Sequence, residues 1–325
     1  MKALRCKELG GPEKLAIEEV ASAPARGNGV RIRVAAAGLN FPDTLIIRGQ
    51  YQFRPGLPFT PGGEVAGEVL EVGDKVTRFR PGDRVMGLTG VGAFAEEVVV
   101  NETNLMPVPE GMDLVEAAGF PMTYGTSWHA LVQRGRLKAG QRLLVLGAGG
   151  GVGLAAVNIG AALGAEVIAA ASSETKLDAA RKAGATHAIN YMEAPLKDAV
   201  KALTKGQGVD VAYDPVGGEL TEQALRCMAW EGRLLIIGFA SGTIPQLPAN
   251  LPLLKGCDVC GVYWGAYTLK DPQGNLQNFI ELGKMLEAGR LTPAPVQRFA
   301  MSDWQRAFAA MEHRQLAGKA VLIPD

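Results

Sequence analysis

The spacing of apolar positions changes character near Pro121. Before it, "VRIRVAAAGLN" alternates and then runs apolar, and "EVAGEVLEVGDKV" carries β-branched residues into a Gly-Asp turn. "RPGDRVMGL" and "AFAEEVVV" continue in that style. Period-two stretches bounded by Gly, Pro and Asp predict a compact β-rich domain with few helices. After Pro121, a helical stretch over "MTYGTSWHALVQRG" leads into six short apolar runs: "RLLVLG", "AEVIAAAS", "THAIN", "VDVAYDPVG", "GRLLIIGF" and "CDVCGVYW". Helical segments such as "KLDAARKAGA", "APLKDAVKALT" and "ELTEQALRCM" lie between them. Such alternation predicts an α/β domain with a doubly wound parallel sheet. The tail is mixed: helices over "NLQNFIELGKMLEAG" and "DWQRAFAAMEH", then a last strand "KAVLIP". It is expected to pack back on the first domain. Residues 1–120 and 265–325 would form one domain and 121–264 the other.

The run Leu143–Val167 is long and apolar enough to suggest a membrane span. Composition argues against one, because seven glycines lie between Gly147 and Gly164, and glycine disfavours a continuous helix. The run divides instead into strand, glycine turn, helix and strand, a βαβ unit. Lys plus Arg and Asp plus Glu each number 33, so no basic surplus points to nucleic acid. "MKALRCKELGG" lacks the apolar core of a signal peptide. Four cysteines make no disulfide framework, so the expected compartment is the reducing cytoplasm.

The glycine turn points to a ligand. Dinucleotide sites use G-x-G-x-x-G between strand and helix. Aligned on its last two glycines, this turn reads Ala148-x-Gly150-x-x-Gly153, with Gly147 just before. Gly150 would let backbone approach a pyrophosphate, and Gly153 would let helix pack on strand. The N-terminal turn over Gly151 and Val152 would offer N–H groups to the phosphates. No Gly-Lys-Ser/Thr follows, which excludes a Walker-type loop. An NAD site usually places an acid at the end of the second strand. Here Ala171, Ser172 and Ser173 hold that place, and Glu174 comes late. Ser172, Ser173 and Lys176 could instead bind a 2′-phosphate, which favours NADPH, with Tyr191 flanking the adenine. The alternative is a serine helix cap beside a solvated lysine.

"AAAGLNFPDTLIIRGQY", "FTPGGEVAGEV", "VGDKVTRFRPGDRV", "PMTYGTSWHAL", "GAGGGVG" and "AGKAVLI" together resemble the medium-chain dehydrogenase/reductase superfamily. Within it they are similar to the zinc-free, zeta-crystallin-type NADPH:quinone oxidoreductases. The resemblance implies a β-rich GroES-like catalytic domain beside a Rossmann domain. Zinc-dependent members place Cys at the position of Asn40 and His at that of Gly63; Glu64 alone survives. Catalytic zinc needs about three protein ligands, so no metal is expected. His129, His187, His313, Cys6 and Cys227 are scattered, and Cys257 and Cys260 read as packing residues in an apolar run.

By the same resemblance, Asn40 and Tyr51 are anchors or oxyanion donors in an acceptor cleft between the domains, or else a loop-shaping residue and a rim aromatic. Relatives often have tyrosine where this chain has Leu45, which bears on acceptor shape. Thr123 would contact the nicotinamide or cap a helix. Gly238 and Phe239 would border it at the end of the fifth strand. Tyr263 and Trp264 would wall the pocket or pack in the core. Arg314 would help hold the 2′-phosphate or be a solvated helix-end charge. Asp43 and Glu64 are read as orienting loops rather than moving protons.

The implied function is reduction of quinones or activated C=C bonds, acceptors that delocalise incoming charge without a metal. A one-electron route stays open. So do an enoyl-thioester or 2-alkenal reductase on the same fold, and a nucleotide-binding scaffold without turnover. "CDVCGVYW" could pair with its copy in a second subunit, giving a homodimer.

Overall fold

Strand Lys2–Cys6 (β1) pairs antiparallel with Leu15–Glu19 (β2) in the computed structural model, which describes residues 1–325. The long strand Gly29–Leu39 (β3) is followed by a short helix, Phe41–Ile46 (α1). Strands Glu64–Val72 (β4), Arg84–Leu88 (β5), Glu97–Asn101 (β6) and Leu105–Pro107 (β7) come next. Register between β3 and β4 shifts twice, at Arg31/Ile32 and at Val34/Ala36. At Gly67 a Cβ would fall 2.0 Å from the Arg33 carbonyl oxygen, so glycine permits the irregular pairing. Helix α1 is the element that period-two reading passed over. Six residues opening on Phe-Pro show little helical period; the helix starts because Asp43 accepts the Asn40 N–H at 2.7 Å. Helix Leu114–Ala117 (α2) leads to Phe120–Trp128 (α3).

From Thr123 to Ala294 the chain forms a second unit. Helix α3 runs into a π-helical turn, His129–Arg134, where sequence spacing suggests one regular helix. The strands are Arg142–Leu146 (β8), Glu166–Ala171 (β9), His187–Asn190 (β10), Val209–Asp214 (β11), Met228–Ile236 (β12) and Asp258–Gly261 (β13). All pair in parallel, in the order β10-β9-β8-β11-β12-β13. The helices between them are Gly151–Ala162 (α4), Glu174–Lys182 (α5), Leu196–Leu203 (α6), Glu219–Arg226 (α7) and Asn250–Lys255 (α8). The reversal of strand order between β8 and β11 makes the sheet doubly wound. Its core includes Leu144, Ile168, Ala212, Leu225 and Leu234. The last expected strand is short, because Trp264 already opens the helix Trp264–Lys270 (α9), which precedes Pro272–Glu287 (α10).

Residues 295–325 return to the first unit, with Val296–Ala300 (β14), helix Trp304–Glu312 (α11) and Lys319–Ile323 (β15). The sheet there runs β14-β15-β3-β4-β5-β7, with β6 on β3. Phe94 and Phe308 meet edge to face in its core. The expected return at residue 265 is therefore displaced to Pro295. Side chains of α9 and α10 bond within the second unit: Gln133 Nε2 donates to Tyr267 Oη at 3.0 Å and to Asn278 Oδ1 at 2.9 Å, and His129 stacks on Tyr267. No helix is long and apolar enough to cross a membrane; Leu143–Val167 breaks into β8, a turn, α4 and the start of β9.

Packing of α4 sets a sharp limit. Leu154 to Ile159 are all buried, as in a helix enclosed on every side. At Gly153 a Cβ would lie 2.2 Å from the Gly147 carbonyl oxygen, which is backbone and cannot swing away. Gly153→Ala is expected to cost about 1–3 kcal/mol by overpacking, checked by urea unfolding against wild type.

Candidate functional site

In the second unit the turn after β8 bends at Gly147, whose φ is +57°, a left-handed conformation that favours glycine. Ala148 is buried and donates its N–H to the Ala170 carbonyl at 3.1 Å, while the glycine-demanding position falls one residue earlier. Gly150 is extended and N-caps α4. A Cβ there would meet nothing nearer than the Gly147 carbonyl oxygen at 3.5 Å, so the backbone face is open. Gly151, Val152 and Gly153 form the first turn of a twelve-residue helix. Ser127 Oγ donates to the Val152 carbonyl at 3.0 Å, linking that turn to α3.

At the end of β9, Ser172 and Ser173 are half-buried, and Ser173 N-caps α5 without a side-chain bond. Lys176 reaches back one turn, its Nζ 3.4 Å from Ser172 Oγ. Glu174, the late acid, pairs with Arg181 at 2.5 Å along α5. Hydroxyl and ammonium thus meet where an NAD site has a carboxylate. Tyr191 follows β10, its N–H donating to the Ala171 carbonyl at 3.2 Å. Gly238 and Phe239 lie just beyond the end of β12, and Phe239 lies against Gly217. These groups share the C-terminal side of the parallel sheet, where such folds bind ligands. They could hold a dinucleotide, with pyrophosphate on α4 and a charged ribose substituent on Ser172 and Lys176.

Asp214, at the end of β11, was missed by sequence reading. Its carboxylate accepts the Val216 and Gly217 N–H groups at 2.8 and 2.9 Å and the Thr221 hydroxyl at 2.5 Å. Burial pushes the carboxyl up, partly offset by those bonds. Tyr263 is exposed, whereas Trp264 is buried, donates Nε1–H to Asn275 Oδ1 at 3.0 Å and covers Gly125. Trp264 is therefore a packing residue of this unit, because its ring is enclosed and its single donor is used.

In the first unit, a polar cluster is buried where β15, β3 and β4 lie side by side. Lys319 Nζ sits 2.6 Å from Glu64 Oε1, with Lys319 4% and Glu64 0% exposed. The ammonium also donates to Asn40 Oδ1. Asn40 Nδ2 donates to Glu64 Oε1 at 2.9 Å and to the Gly38 carbonyl at 3.3 Å. Glu64 Oε2 accepts the Met122 N–H at 2.8 Å. Both amide hydrogens of Asn40 are thus engaged within the protein. Asp43 and Glu64 accept the backbone N–H groups of Asn40 and Met122 respectively. Lys319 went unnoticed because one lysine before an apolar strand reads as a solvated end; "AGKAVLI" held the signal.

Thr123 is buried in α3 rather than at its N-cap. Tyr51 is half-buried against the first unit's core. Arg314 is exposed beyond α11, with φ at +57°. No three His, Cys, Asp or Glu side chains converge to hold a metal ion. The position of the zinc-ligand cysteine carries the committed amide of Asn40, and Gly63 offers no donor.

Asp43 is 2% exposed. Burial, against the pull of the Asn40 N–H and Lys319 and with the push of Glu64, raises its carboxyl to about 7. The folded value lies above the unfolded one, so the native state binds this proton more tightly. The associated stability is present at low pH and is lost as pH rises from about 4 to about 7. Asp43→Asn is expected to remove that slope, at most roughly 1.4 kcal/mol per pH unit. Urea unfolding of both proteins across the window checks it.

Comparison with known proteins accords with this geometry. Residues 26–110 match the alcohol dehydrogenase GroES-like domain, and residues 151–282 match the zinc-binding dehydrogenase model. Quinone oxidoreductase-like protein 2 of Bos taurus is 41% identical over 322 residues, 99% of this chain and 92% of its own length. The crystal structure of Escherichia coli quinone oxidoreductase complexed with NADPH is 29% identical, with a TM-score of 0.92 over 100% of both chains. That of CurK enoyl reductase is 27% identical, with a TM-score of 0.91 over 100% of this chain and 99% of its own. With its GroES-like and Rossmann units, and with asparagine and glycine at two zinc-ligand positions, this oxidoreductase belongs to the zinc-free, quinone oxidoreductase type of the medium-chain dehydrogenase/reductase family.

Proposed function

We propose that the protein is a zinc-independent, NADPH-dependent reductase of quinones or activated C=C bonds, acting in the cytoplasm as a homodimer. The carrying observation is the commitment of Asn40 to Glu64, Gly38 and Lys319 beside a ligandless Gly63. With no Lewis acid built from these positions, the acceptor must spread incoming charge itself, as a hydroquinone anion or enolate does.

NADPH, when bound, supplies the hydride. The open backbone at Gly150 and the first turn of α4 accommodate the pyrophosphate. Ser172, Ser173 and Lys176 bind and neutralise the 2′-phosphate, with Arg314 assisting, while Glu174 is occupied by Arg181. Tyr191 flanks the adenine; Thr123, Gly238, Phe239 and Tyr263 border the nicotinamide. Tyr51 donates its hydroxyl to the acceptor oxygen, and a donor to a developing oxyanion is worth a few kcal/mol in a dry site, roughly 2.7–4 by mutagenesis. Water supplies the proton.

The cysteines are all unpaired, in keeping with a reducing compartment. Support for the dimer comes from β13, which pairs with β12 alone and leaves an edge. Val259 on that strand and Leu253, Leu254 and Trp230 nearby in sequence or packing are exposed. A second copy can add its own strand there.

Enoyl or alkenal reduction is the second reading, favoured by the likeness to CurK enoyl reductase. NADPH oxidation with 1,4-benzoquinone, 9,10-phenanthrenequinone, methyl vinyl ketone and crotonyl-CoA tests both. Quinone turnover above the rest is expected; preference for crotonyl-CoA or methyl vinyl ketone transfers the assignment. Binding without any turnover makes the chain a scaffold. Lys176→Ala should weaken NADPH binding about tenfold and leave NADH within about twofold, read by nucleotide fluorescence. Equal losses for both nucleotides would remove the 2′-phosphate role. Val259→Asp is expected to turn a dimer into a monomer by light scattering.

A further inference from the structure

Lys319–Glu64 is exceptional among the ion pairs of this protein, because every other pair has at least a quarter of each side chain exposed. Burying two charges costs several kcal/mol per ion, and apolar replacement of such a pair is often neutral or stabilising. Stability alone therefore does not account for it. The surroundings are shaped to admit it. A Cβ at Gly38 would lie 2.3 Å from Glu64 Oε1, and one at Gly119 would lie 2.9 Å from Lys319 Cγ. Two glycines thus leave room for the two side chains.

The pair's remaining bonds point outward to functional groups. Lys319 fixes the carbonyl end of the Asn40 amide, while Glu64 and Gly38 fix its nitrogen end, so the amide has one orientation. The other Glu64 oxygen holds the Met122 N–H, directly before Thr123. Asp43 holds the backbone of Asn40 from the far side. One ion pair thereby sets both the residue at the vacated zinc-ligand position and the backbone of the first turn of α3.

We propose that Lys319 is a positioning residue, acting with Glu64 to hold the Asn40 amide and the Met122–Thr123 backbone in the arrangement that acceptor reduction needs. The claim rests on the reductase reading for what those groups serve. It makes no use of Lys319 as a proton donor: its ammonium is spent on Glu64 and Asn40.

The test compares wild type, Lys319→Met, the charge-balanced double variant Glu64→Gln/Lys319→Met, and Gly119→Ala. Lys319→Met should fold less well, since it strands the Glu64 carboxylate. The double variant should regain most thermal stability, bind NADPH within about twofold of wild type, and still lose about tenfold in kcat/KM for 9,10-phenanthrenequinone. Gly119→Ala keeps both charges but displaces the lysine stem, and should lose several-fold in kcat/KM with NADPH affinity unmoved; it covers the case in which the double variant does not fold. A folded variant of either kind with wild-type kcat/KM overturns the proposal. Crystal structures of the double variant and of Gly119→Ala add a readout independent of turnover. The Asn40 amide released from the Gly38 carbonyl is expected; an unmoved amide and Met122 backbone in whichever variant folds overturn the proposal. Wild type that binds NADPH but reduces no acceptor removes the reductase reading alone, and the crystal structures still decide the positioning of Asn40.

Discussion

The constraint that governs the second unit is steric. The Gly147 carbonyl faces Gly153 at a separation that excludes even a methyl group. That contact seats the first turn of α4 directly over the end of β8. Its effect is electrostatic as well as geometric: it fixes where a helix N-terminus, with its unpaired N–H groups and partial positive charge, lies relative to the sheet. Gly160 repeats the constraint farther along, since a Cβ there would strike Leu143. The glycines in this helix weaken its intrinsic propensity. Enclosure of its apolar side chains against the sheet offsets that loss.

The first unit solves a different problem with different means. Three neighbouring strand ends and the short helix α1 carry two carboxylates, an amide and an ammonium out of contact with water. Isolated charges there would be prohibitive, so each is paired or hydrogen-bonded. Lys319 balances Glu64, and Asp43, left in excess, answers by holding its proton toward neutral pH. Charge balance and loop geometry are one arrangement here. The same bonds that compensate the buried ions also fix Asn40 and the Met122 backbone.

Much of this was legible in the sequence because it follows from periodicity and from glycine placement. The six parallel strands, α4 and the missing acid after β9 all stand in local patterns. Other features depend on partners distant in the chain. Lys319 meets Asn40 across 279 residues, and no local pattern reports such a meeting. Helix α1 is too short to show a period, and it starts on a carboxylate that reads as an ordinary loop acid. The boundary after α10 was misplaced for a similar reason. Helices α9 and α10 look like a generic amphipathic tail, and what keeps them in the second unit is a set of side-chain bonds from Gln133 and a ring stack on His129. The part Gly147 plays beside Ala148 is subtler. A glycine beside a fingerprint position can supply the left-handed turn, and only φ distinguishes the two.

Removal of two ligand-bearing side chains from a metal-dependent scaffold alters more than affinity for a metal. A divalent ion draws charge toward a single oxygen, so it suits substrates that localise an alkoxide. An amide whose hydrogens are already given to a carboxylate and a carbonyl offers no comparable pull. Stabilisation of the developing negative charge must then come from the acceptor's own conjugation and from modest hydrogen-bond donors. Conjugated rings and enones meet that requirement, whereas simple ketones and alcohols do not. The buried ion pair is compatible with this chemistry because its charges are balanced internally. It can hold the surrounding backbone rigid without presenting a strong local field of its own to the reacting atoms.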